Sequence, residues 1–171
     1  MMQPETVLRS QSRHANQTDI ERTMVKRTSH KEAGCALARP LDAIGDGWSL
    51  LIVRDAFDGL RRFGEFQRSL GLARNILSAR LRNLVDHGVL QAVAAADGGA
   101  HCEYVLTEKG RGLFPLMVAL RQWGEDYFFE ADRPRARLVE RQTGEAVGRL
   151  EIRARDGRTL TADDTVTRLE G

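Results

Sequence analysis

The fold is decided by the stretch Asn75-Ile-Leu-Ser-Ala-Arg-Leu-Arg-Asn-Leu-Val-Asp-His-Gly88, whose apolar spacing predicts a short helix with two different faces. At about 100° of rotation per residue, the apolar positions fall together on one side of this helix. These positions are Leu77, Leu81, Leu84 and Val85, with Gly88 beside them. The opposite side carries Asn75, Ala79, Arg82, Asn83 and Asp86. The first side is suited to a hydrophobic core, and the second to the groove of a binding partner.

A glycine-turned ribbon follows this helix immediately. Residues 89–93 and 103–107 are rich in strand-forming side chains, and the turn residues Asp97-Gly98-Gly99 lie between them. Upstream, residues 64–70 predict another helix, and Gly71-Leu72-Ala73 turns the chain into helix 75–88. The two helices are a predicted helix-turn-helix, and the ribbon extends it to a winged helix.

Two more helices are predicted before this unit. Leu37, Leu41 and Ile44 fit one face of a helix over residues 35–44, which Gly45 ends. A second helix runs over residues 47–57, and we expect Trp48 and the aliphatic run after it to lie in the core.

A long apolar helix is predicted over residues 108–130, after the wing. Thr107 is placed to cap its start, and Pro115 lies within the run, where it would introduce a kink. This helix carries more apolar surface than a small domain alone can bury. Together with helix 35–44 it is therefore expected to form the contact between two subunits.

The chain divides into three parts. Residues 1–32 are polar and without sustained periodicity, so we expect a mostly disordered arm. Residues 33–131 carry the winged-helix pattern. Residues 132–171 are expected to form a small β-rich extension, because residues 150–155 alternate apolar and charged side chains up to an Asp156-Gly157 turn. The predicted class is therefore α+β, a winged helix-turn-helix with a long terminal dimerisation helix and a C-terminal β extension.

Composition predicts a cytoplasmic protein with one main core. The chain has 171 residues, 42% of them hydrophobic, and a net charge of +2. Its longest apolar stretches, residues 48–53 and 113–120, are too short to span a bilayer, and no secretory apolar region is expected in residues 1–31. The small net charge decides nothing about nucleic acid, but arginines concentrate around the helix-turn-helix.

The cysteine and histidine spacing predicts neither a metal site nor a cofactor. Cys35 and Cys102 are far apart and form no Cys-x-x-Cys pair, so both are expected to be free thiols. The four histidines show no ligand spacing. A thiol-dependent enzyme using Cys35 is disfavoured, because no glycine-framed nucleophile turn or nearby histidine motif accompanies it.

Several segments resemble, in order, the HxlR family of bacterial winged-helix transcription regulators, which are relatives of the MarR type. The matching segments are residues 35–42, Ile44-Gly-Asp-Gly-Trp-Ser-Leu-Leu-Ile-Val-Arg-Asp55, Arg62-Phe-Gly-Glu-Phe-Gln67, Arg74-Asn-Ile-Leu-Ser-Ala-Arg-Leu81, Tyr104-Val-Leu-Thr-Glu-Lys-Gly110 and Leu120-Arg-Gln-Trp123. They span residues 35–130, so the arm and the extension inherit nothing from the resemblance.

The resemblance implies a cytoplasmic homodimer that binds an inverted-repeat operator, is expected to act as a repressor, responds to a small molecule or to redox stress, and catalyses no reaction. Family members commonly have Ser-Pro or a similar polar pair where this chain has Ala73-Arg74, so the usual hydroxyl cap is replaced. Cys35 lies where the family often has a cysteine, which in some members senses oxidants. Lys31 and Arg39 are the nearby cations that could activate its thiol.

Nine residues are predicted to contact double-stranded DNA: Arg61, Arg62, Arg74, Asn75, Ser78, Ala79, Arg80, Arg82 and His101. Asn pairs with adenine and Arg with guanine in the major groove, so Asn75 and Arg82 are expected to read bases. Arg61, Arg62 and Arg80 are expected to hold phosphates, and His101 to contact the minor groove or a phosphate from the wing tip.

Other interpretations of the same residues stay open. The charged helix face could be a solvated surface, and the glycines of the wing tip could serve only a tight turn. A winged-helix module that binds protein would be favoured by a neutral or acidic outer face. Trp123, Tyr127 and Phe128 could line an effector pocket, although aromatic residues at helical spacing usually serve packing.

Overall fold

The structure, a computed structural model, describes residues 29–95, 98, 101–130 and 136–168. It is a winged helix-turn-helix of the α+β class, as predicted. The helices are α1 (Leu41–Ile44), α2 (Ser49–Phe57), α3 (Phe63–Leu70), α4 (Arg74–Asp86), α5 (Glu108–Arg111) and α6 (Phe114–Tyr127). The strands are β1 (Leu90–Ala94) and β2 (Cys102–Leu106).

One hydrophobic core holds α1 to α4 and the base of the wing together. The side chains of Phe66, Ile52, Leu77, Leu81 and Leu84 are fully buried within it. Burial of each such side chain contributes about 1.5–3 kcal/mol relative to exposure. The apolar face predicted for helix 75–88 is thus confirmed for its three leucines, and this face orients α4 with its opposite side outward.

The turn between α3 and α4 depends on Gly71. Its backbone has φ of 64° and ψ of 21°, the left-handed region in which a Cβ is strained. The amide N–H of Gly71 donates to the carbonyl of Gln67 and ends α3. Leu72 then enters the core, and Ala73 is extended before α4. The predicted helix-turn-helix is confirmed.

The wing is an antiparallel pair in which Leu90 lies opposite Leu106 and Ala94 lies opposite Cys102. Each strand is displaced by one residue from its predicted bounds. Thr107 was predicted both to end the second strand and to cap the next helix, and the structure assigns it to the cap, since its Oγ1 accepts from the Gly110 N–H at 3.0 Å. At the hairpin tip Gly98 has φ of 73°, and the other predicted tip residues, Asp97 and Gly99, lie outside the described residues.

The prediction for helix 35–44 was wrong in its extent. Only Leu41–Ile44 is helical, and residues 36–40 form turns. Pro40 explains the difference, because a proline disfavours helical geometry in the residue before it. Leu37 is consequently exposed. Trp48 was also wrongly predicted as core, since it precedes α2 and is 39% exposed, whereas Ile52 and Val53 are buried.

The predicted helix 108–130 is interrupted. α5 ends at Arg111, Gly112 and Leu113 form a turn, and Pro115 lies in the first turn of α6. A proline lacks the amide hydrogen and clashes with the carbonyl four residues earlier, which here belongs to Arg111. A break, rather than a kink, is the result.

The C-terminal segment, residues 136–168, is held on α6 by polar contacts. Gln122 donates from Nε2 to the Gly148 carbonyl at 2.9 Å and accepts from the Leu150 N–H at 2.8 Å. Arg149 pairs with Asp126. The predicted Asp156-Gly157 turn is present, with Leu160 donating to the Ile152 carbonyl at 2.8 Å. Within residues 136–168, however, β pairing is limited to isolated bridges, and a short 3-10 helix spans Ala162–Asp164.

The predicted disordered arm mostly falls on residues 1–28, which lie outside the described residues. Its last residues are bound to α1, because Ser29 Oγ and the His30 N–H donate to the Asp42 carboxylate at 2.8 Å each. The Ser29 hydroxyl, with the His30 N–H, lowers the pKa of Asp42 below its usual value. Across the described residues, no helix is long and apolar enough to cross a membrane.

Candidate nucleic-acid interface

The outer face of α4 is the centre of the site. Asn75, Ala79 and Arg82 are exposed on the side of the helix opposite the buried leucines, and Ser78 is half-buried at the edge of this face. Asn83 was predicted to face outward but is half-buried, and its Nδ2 donates to the Ala43 carbonyl at 2.9 Å. It lies on the flank that meets α1, so its amide ties the two helices together.

The N-terminus of α4 has no side-chain cap. Ala73 at the N-cap has no side-chain acceptor, and the first helical backbone bond runs from the Leu77 N–H to the Ala73 carbonyl at 3.1 Å. The amides of the first turn therefore project from the helix end, where the helix dipole favours an anion. The guanidinium carbon of Arg74 lies 5.3 Å from the centroid of the Phe63 ring, a cation–π contact that keeps this exposed arginine beside the helix end.

Arg61 and Arg62 lie along the outer edge of the wing, because their backbone pairs with β2. The Tyr104 N–H donates to the Arg61 carbonyl at 2.8 Å, and Arg62 forms an isolated antiparallel bridge with Glu103. The Glu65 carboxylate accepts from the backbone N–H groups of Arg62 and Arg61 at 2.8 Å each. These hydrogen bonds hold the pKa of Glu65 below its ordinary value. The predicted phosphate contacts thus extend from a fixed backbone beside α4.

Glu103, whose carboxylate is buried, belongs to this site but was not predicted from the sequence. Its Oε1 lies 3.4 Å from Arg62 Nε and its Oε2 lies 4.0 Å from Arg61 Nη1. Both arginine side chains are nevertheless exposed. Glu103 therefore orients the pair. The only sequence signal was an acidic residue inside a predicted wing strand, and its partners follow from the strand register rather than from local spacing.

Arg80 differs from the other predicted contacts. Its Nε lies 3.3 Å from Asp46 Oδ1 and its side chain is only 30% exposed. The same carboxylate accepts from the Trp48 N–H at 2.9 Å and from Ser49 Oγ at 2.5 Å. Burial acts to raise the pKa of Asp46, but these hydrogen bonds and the charge of Arg80 outweigh it and lower the pKa. Arg80 thus forms an ion pair that links α4 to the start of α2, and its phosphate contact stays a prediction.

Arg82 connects α4 to the wing through its charge. Burial and the hydrogen bond with the Cys102 side chain raise the pKa of Tyr104 on β2, and the positive charge of Arg82 acts in the opposite direction. α4 also packs directly against β1 of the wing. His101 is exposed immediately before β2, at the end of the hairpin loop. The helix face and the wing edge thus adjoin each other.

Cys35 is an exposed free thiol in the turns before α1, and Cys102 is also free and exposed. Arg39, one of its two predicted activating cations, donates from Nε to the Ala33 carbonyl at 2.5 Å. That guanidinium is therefore directed at the backbone. Within the described ranges, no three side chains of His, Cys, Asp or Glu are grouped as a metal site would require.

This arrangement of side chains is suited to bind a nucleic acid through its phosphates and its base edges. Exposed arginines flank a helix face of small and polar side chains, and such a face can approach base edges while the cations hold the backbone. The structure brings Arg61, Arg62, Arg74, Asn75, Ala79 and Arg82 to the surface, leaves Ser78 at its edge, and directs Arg80 to Asp46.

Comparison with known proteins gives the same picture. Residues 43–132 match the profile of the HxlR-like helix-turn-helix family. The HTH-type transcriptional regulator Rv3095 of Mycobacterium tuberculosis is 40% identical over 134 residues, which cover 78% of this chain and 85% of the relative. The crystal structure of PA1607, a candidate transcription factor, has 66% identity and a TM-score of 0.81, and the match covers 84% of this chain and all of that one.

A third match is the redox regulator HypR in its oxidized form, with 31% identity and a TM-score of 0.51 over 56% of this chain and all of HypR. Family profile, relatives and fold agree on a DNA-binding regulator rather than an enzyme. The chain therefore belongs to the HxlR-like family of helix-turn-helix transcriptional regulators.

Proposed function

We propose that the protein is a cytoplasmic homodimeric repressor that places α4 of each subunit in the major groove of an inverted-repeat operator. One observation carries this proposal: the exposed face of α4 is polar and cationic, Arg74 at its start lies over Phe63, and the adjacent pair Arg61 and Arg62 lies along β2 of the wing. A recognition helix of this kind reads base edges from its N-terminal half while neighbouring cations hold phosphates.

The side chains divide into two groups. Asn75 and Arg82 read bases, since both are exposed, the asparagine amide can donate to and accept from adenine, and the arginine guanidinium can donate twice to guanine. Arg61, Arg62 and Arg74 hold phosphates. Ser78 and Ala79 allow close approach, and His101 contacts the DNA from the wing.

The dimer contact uses the outer stripe of α6, which we define as Leu116, Leu120, Trp123 and Tyr127. These side chains are spaced at helical intervals on one face and are between 41% and 73% exposed, whereas Val118 on the other side is buried. A patch of this size on a small protein is suited to association. A second copy would cover it by two-fold symmetry, as an isologous contact.

Selection of bound duplexes from a random DNA pool, combined with light scattering of the free protein, tests the proposal. The expected result is a dimer in solution and an inverted repeat with half-site centres on the order of 10 bp apart. A monomer that enriches no symmetric sequence would contradict it. The matched control is the Asn75→Ala and Arg82→Ala double variant, which should remain folded and dimeric but enrich no sequence.

Response to oxidants is proposed at Cys35, because its thiol is exposed and free and because the chain is similar to the redox regulator HypR. An adduct or an intermolecular disulfide beside α1 would tilt the two recognition helices and spoil their simultaneous contact with both half-sites. Operator affinity should fall after mild oxidation in the wild type and stay constant in Cys35→Ser. Unchanged wild-type affinity despite confirmed thiol modification would contradict this role.

A further inference from the structure

A groove of about 690 Å³ lies between α2, α6 and the C-terminal segment. Its walls are mostly apolar, with Phe57 on α2, Phe114 and Met117 on α6, and Leu138 on the C-terminal segment. This volume is within the range that drug-sized ligands occupy, and such sites combine apolar walls with a few polar groups.

The carboxylate of Asp55, one of the groove residues, has a buried oxygen without a partner among the described residues. Asp55 is 3% exposed, and its Oδ1 accepts from Arg54 Nε at 2.9 Å and from Arg54 Nη2 at 2.6 Å. Its Oδ2 is buried and accepts no hydrogen bond from any described group. A buried oxygen of this kind costs about 1–3 kcal/mol, so a hydrogen-bond donor that reached it would be favoured.

The charges of the groove favour a cationic donor. Asp55, Asp58 and Glu125 contribute three negative charges to its lining, and Arg54 and Arg121 contribute two positive charges. Both arginines are engaged, Arg54 with Asp55 and Arg121 through a bond from Nη1 to the Ala136 carbonyl at 2.9 Å. An incoming ammonium group would meet an uncompensated negative charge and an unpartnered oxygen.

We infer that this groove binds an aromatic amine, with the ammonium group donating to Asp55 Oδ2 and the ring packing among Phe57, Phe114 and Met117. The inference specifies the effector class for the proposed regulator, and its regulatory meaning rests on that proposed function. Binding of the amine does not depend on the proposed function, because the groove is separate from the exposed face of α4. A ligand there would bridge α2, which shares the core with α4, and α6, which carries the outer stripe.

A small molecule fits this groove better than a second copy of the chain. The groove residues Met117 and Arg121 lie about a quarter-turn or more around α6 from the centre of the outer stripe, and Gly124 lies about 70° from it. The groove also has a wall from the same chain, because the C-terminal segment is fastened to Gln122 and Asp126. The proposed dimer contact and the groove therefore share only Leu120 on α6, and their other α6 residues lie on different faces.

Binding is tested by calorimetry on the full-length protein without DNA, using tryptamine as the probe and indole-3-propionate as its anionic counterpart. Tryptamine should bind the wild type at least tenfold more tightly than indole-3-propionate. Asp55→Asn should weaken tryptamine at least tenfold, whereas Asp86→Asn, a matched change on an exposed residue of α4, should leave its affinity within twofold.

A second variant blocks the groove without touching the carboxylate. A Cβ added at Gly124 meets nothing within 4 Å, so Gly124→Phe can fill the groove without strain and should abolish tryptamine binding while circular dichroism stays unchanged. Undetectable tryptamine binding to the wild type, equal affinity for amine and acid, or affinity unaffected by both variants would overturn the inference. So would a change from dimer to monomer in Gly124→Phe, since it would make the groove a protein interface.

A DNA-binding measurement distinguishes failure of this inference from failure of the proposed function. Operator affinity of the wild type is measured with and without tryptamine. If the wild type binds tryptamine as expected but binds no duplex, the amine site is supported and the proposed repressor is refuted. If it binds duplex DNA but not tryptamine, the amine site is refuted and the proposed repressor is supported.

Discussion

The helices α4 and α6 are almost equal in length, 13 and 14 residues, but they divide their surfaces in opposite ways. α4 buries three leucines and exposes polar and cationic side chains. α6 buries only Val118 and exposes most of its large apolar side chains. Both are amphipathic by pattern, so periodicity alone does not say which face meets the core.

The difference shows what each exposed face is suited to bind. A cationic, polar face beside fixed arginines is suited to a phosphate backbone and base edges, where charge gives affinity and hydrogen bonds give specificity. An apolar stripe gains free energy only by leaving water, so its partner must be apolar too. In one short chain, the proposed function thus uses α4 for DNA and α6 for a second subunit.

The strongest test exchanges a buried leucine for alanine. Leu81 on α4 is 1% exposed in the core, and Leu81→Ala should lower the free energy of unfolding by about 2–5 kcal/mol, since it removes apolar contacts and leaves a cavity. Urea denaturation followed by circular dichroism measures this loss. A change below about 1 kcal/mol would mean that α4 does not use this face for the core.

The matched test on α6 is Leu116→Glu. Leu116 is on the outer stripe and outside the groove lining, so the monomer should remain folded. The dimer should dissociate, with a loss of about 2 kcal/mol or more in association free energy, because a charge would be buried at its centre. Analytical ultracentrifugation gives the dimer constant, and Glu108→Gln is a surface control. A dimer of undiminished strength would place the contact elsewhere.

Two arginines then separate base reading from backbone contact. Arg82→Ala should cost about 1–3 kcal/mol at the preferred operator and relax its base preference. Arg62→Ala should weaken binding to all duplexes by a similar factor and reduce the dependence on salt. Titration of matched and scrambled duplexes at several salt concentrations distinguishes them. Equal losses on both duplexes for both variants would refute the division of roles.

The smallest effect is expected on the flank of α4. Asp46→Asn removes the charge that faces Arg80 and weakens the bonds to Ser49, so unfolding at pH 7 should become easier by about 1 kcal/mol. The folded state lowers the pKa of Asp46 from 3.8, so its contribution is present above pH 3.8 and disappears as the pH falls through the lower folded value. The gap in Tm between wild type and variant should therefore close in acid. A gap independent of pH would exclude the ionised carboxylate as its source.

Much of the winged-helix core was predictable from local pattern. The helix-turn-helix, the wing strands and the Thr107 cap depend on spacing within a few residues, and their predicted bounds were correct to one or two positions. Proline geometry decided the two helices that were wrong in extent, at Pro40 and at the break after Arg111. Apolar spacing continues across both prolines, so it does not indicate where the backbone leaves the helix.

The site was less predictable because long-range partners control it. Asp46 engages Arg80, and Glu103 orients Arg61 and Arg62, through tertiary contacts that no local spacing reveals. The groove beside Asp55 was not predicted at all. Its walls come from segments far apart in the sequence, and an unpartnered carboxylate oxygen becomes visible only after folding.

The pairing of Arg61 and Arg62 with β2 also has a kinetic consequence. Arg62 and Glu103 are 41 positions apart, and the loop that their contact closes contains α3, α4 and β1. Closing a loop of this length costs more chain entropy than any step inside it. The helix-turn-helix should therefore form early in folding, and the pairing of Arg61 and Arg62 with β2 should form late. Mutations at Glu103 should mainly speed unfolding, whereas mutations at Leu77 should slow refolding.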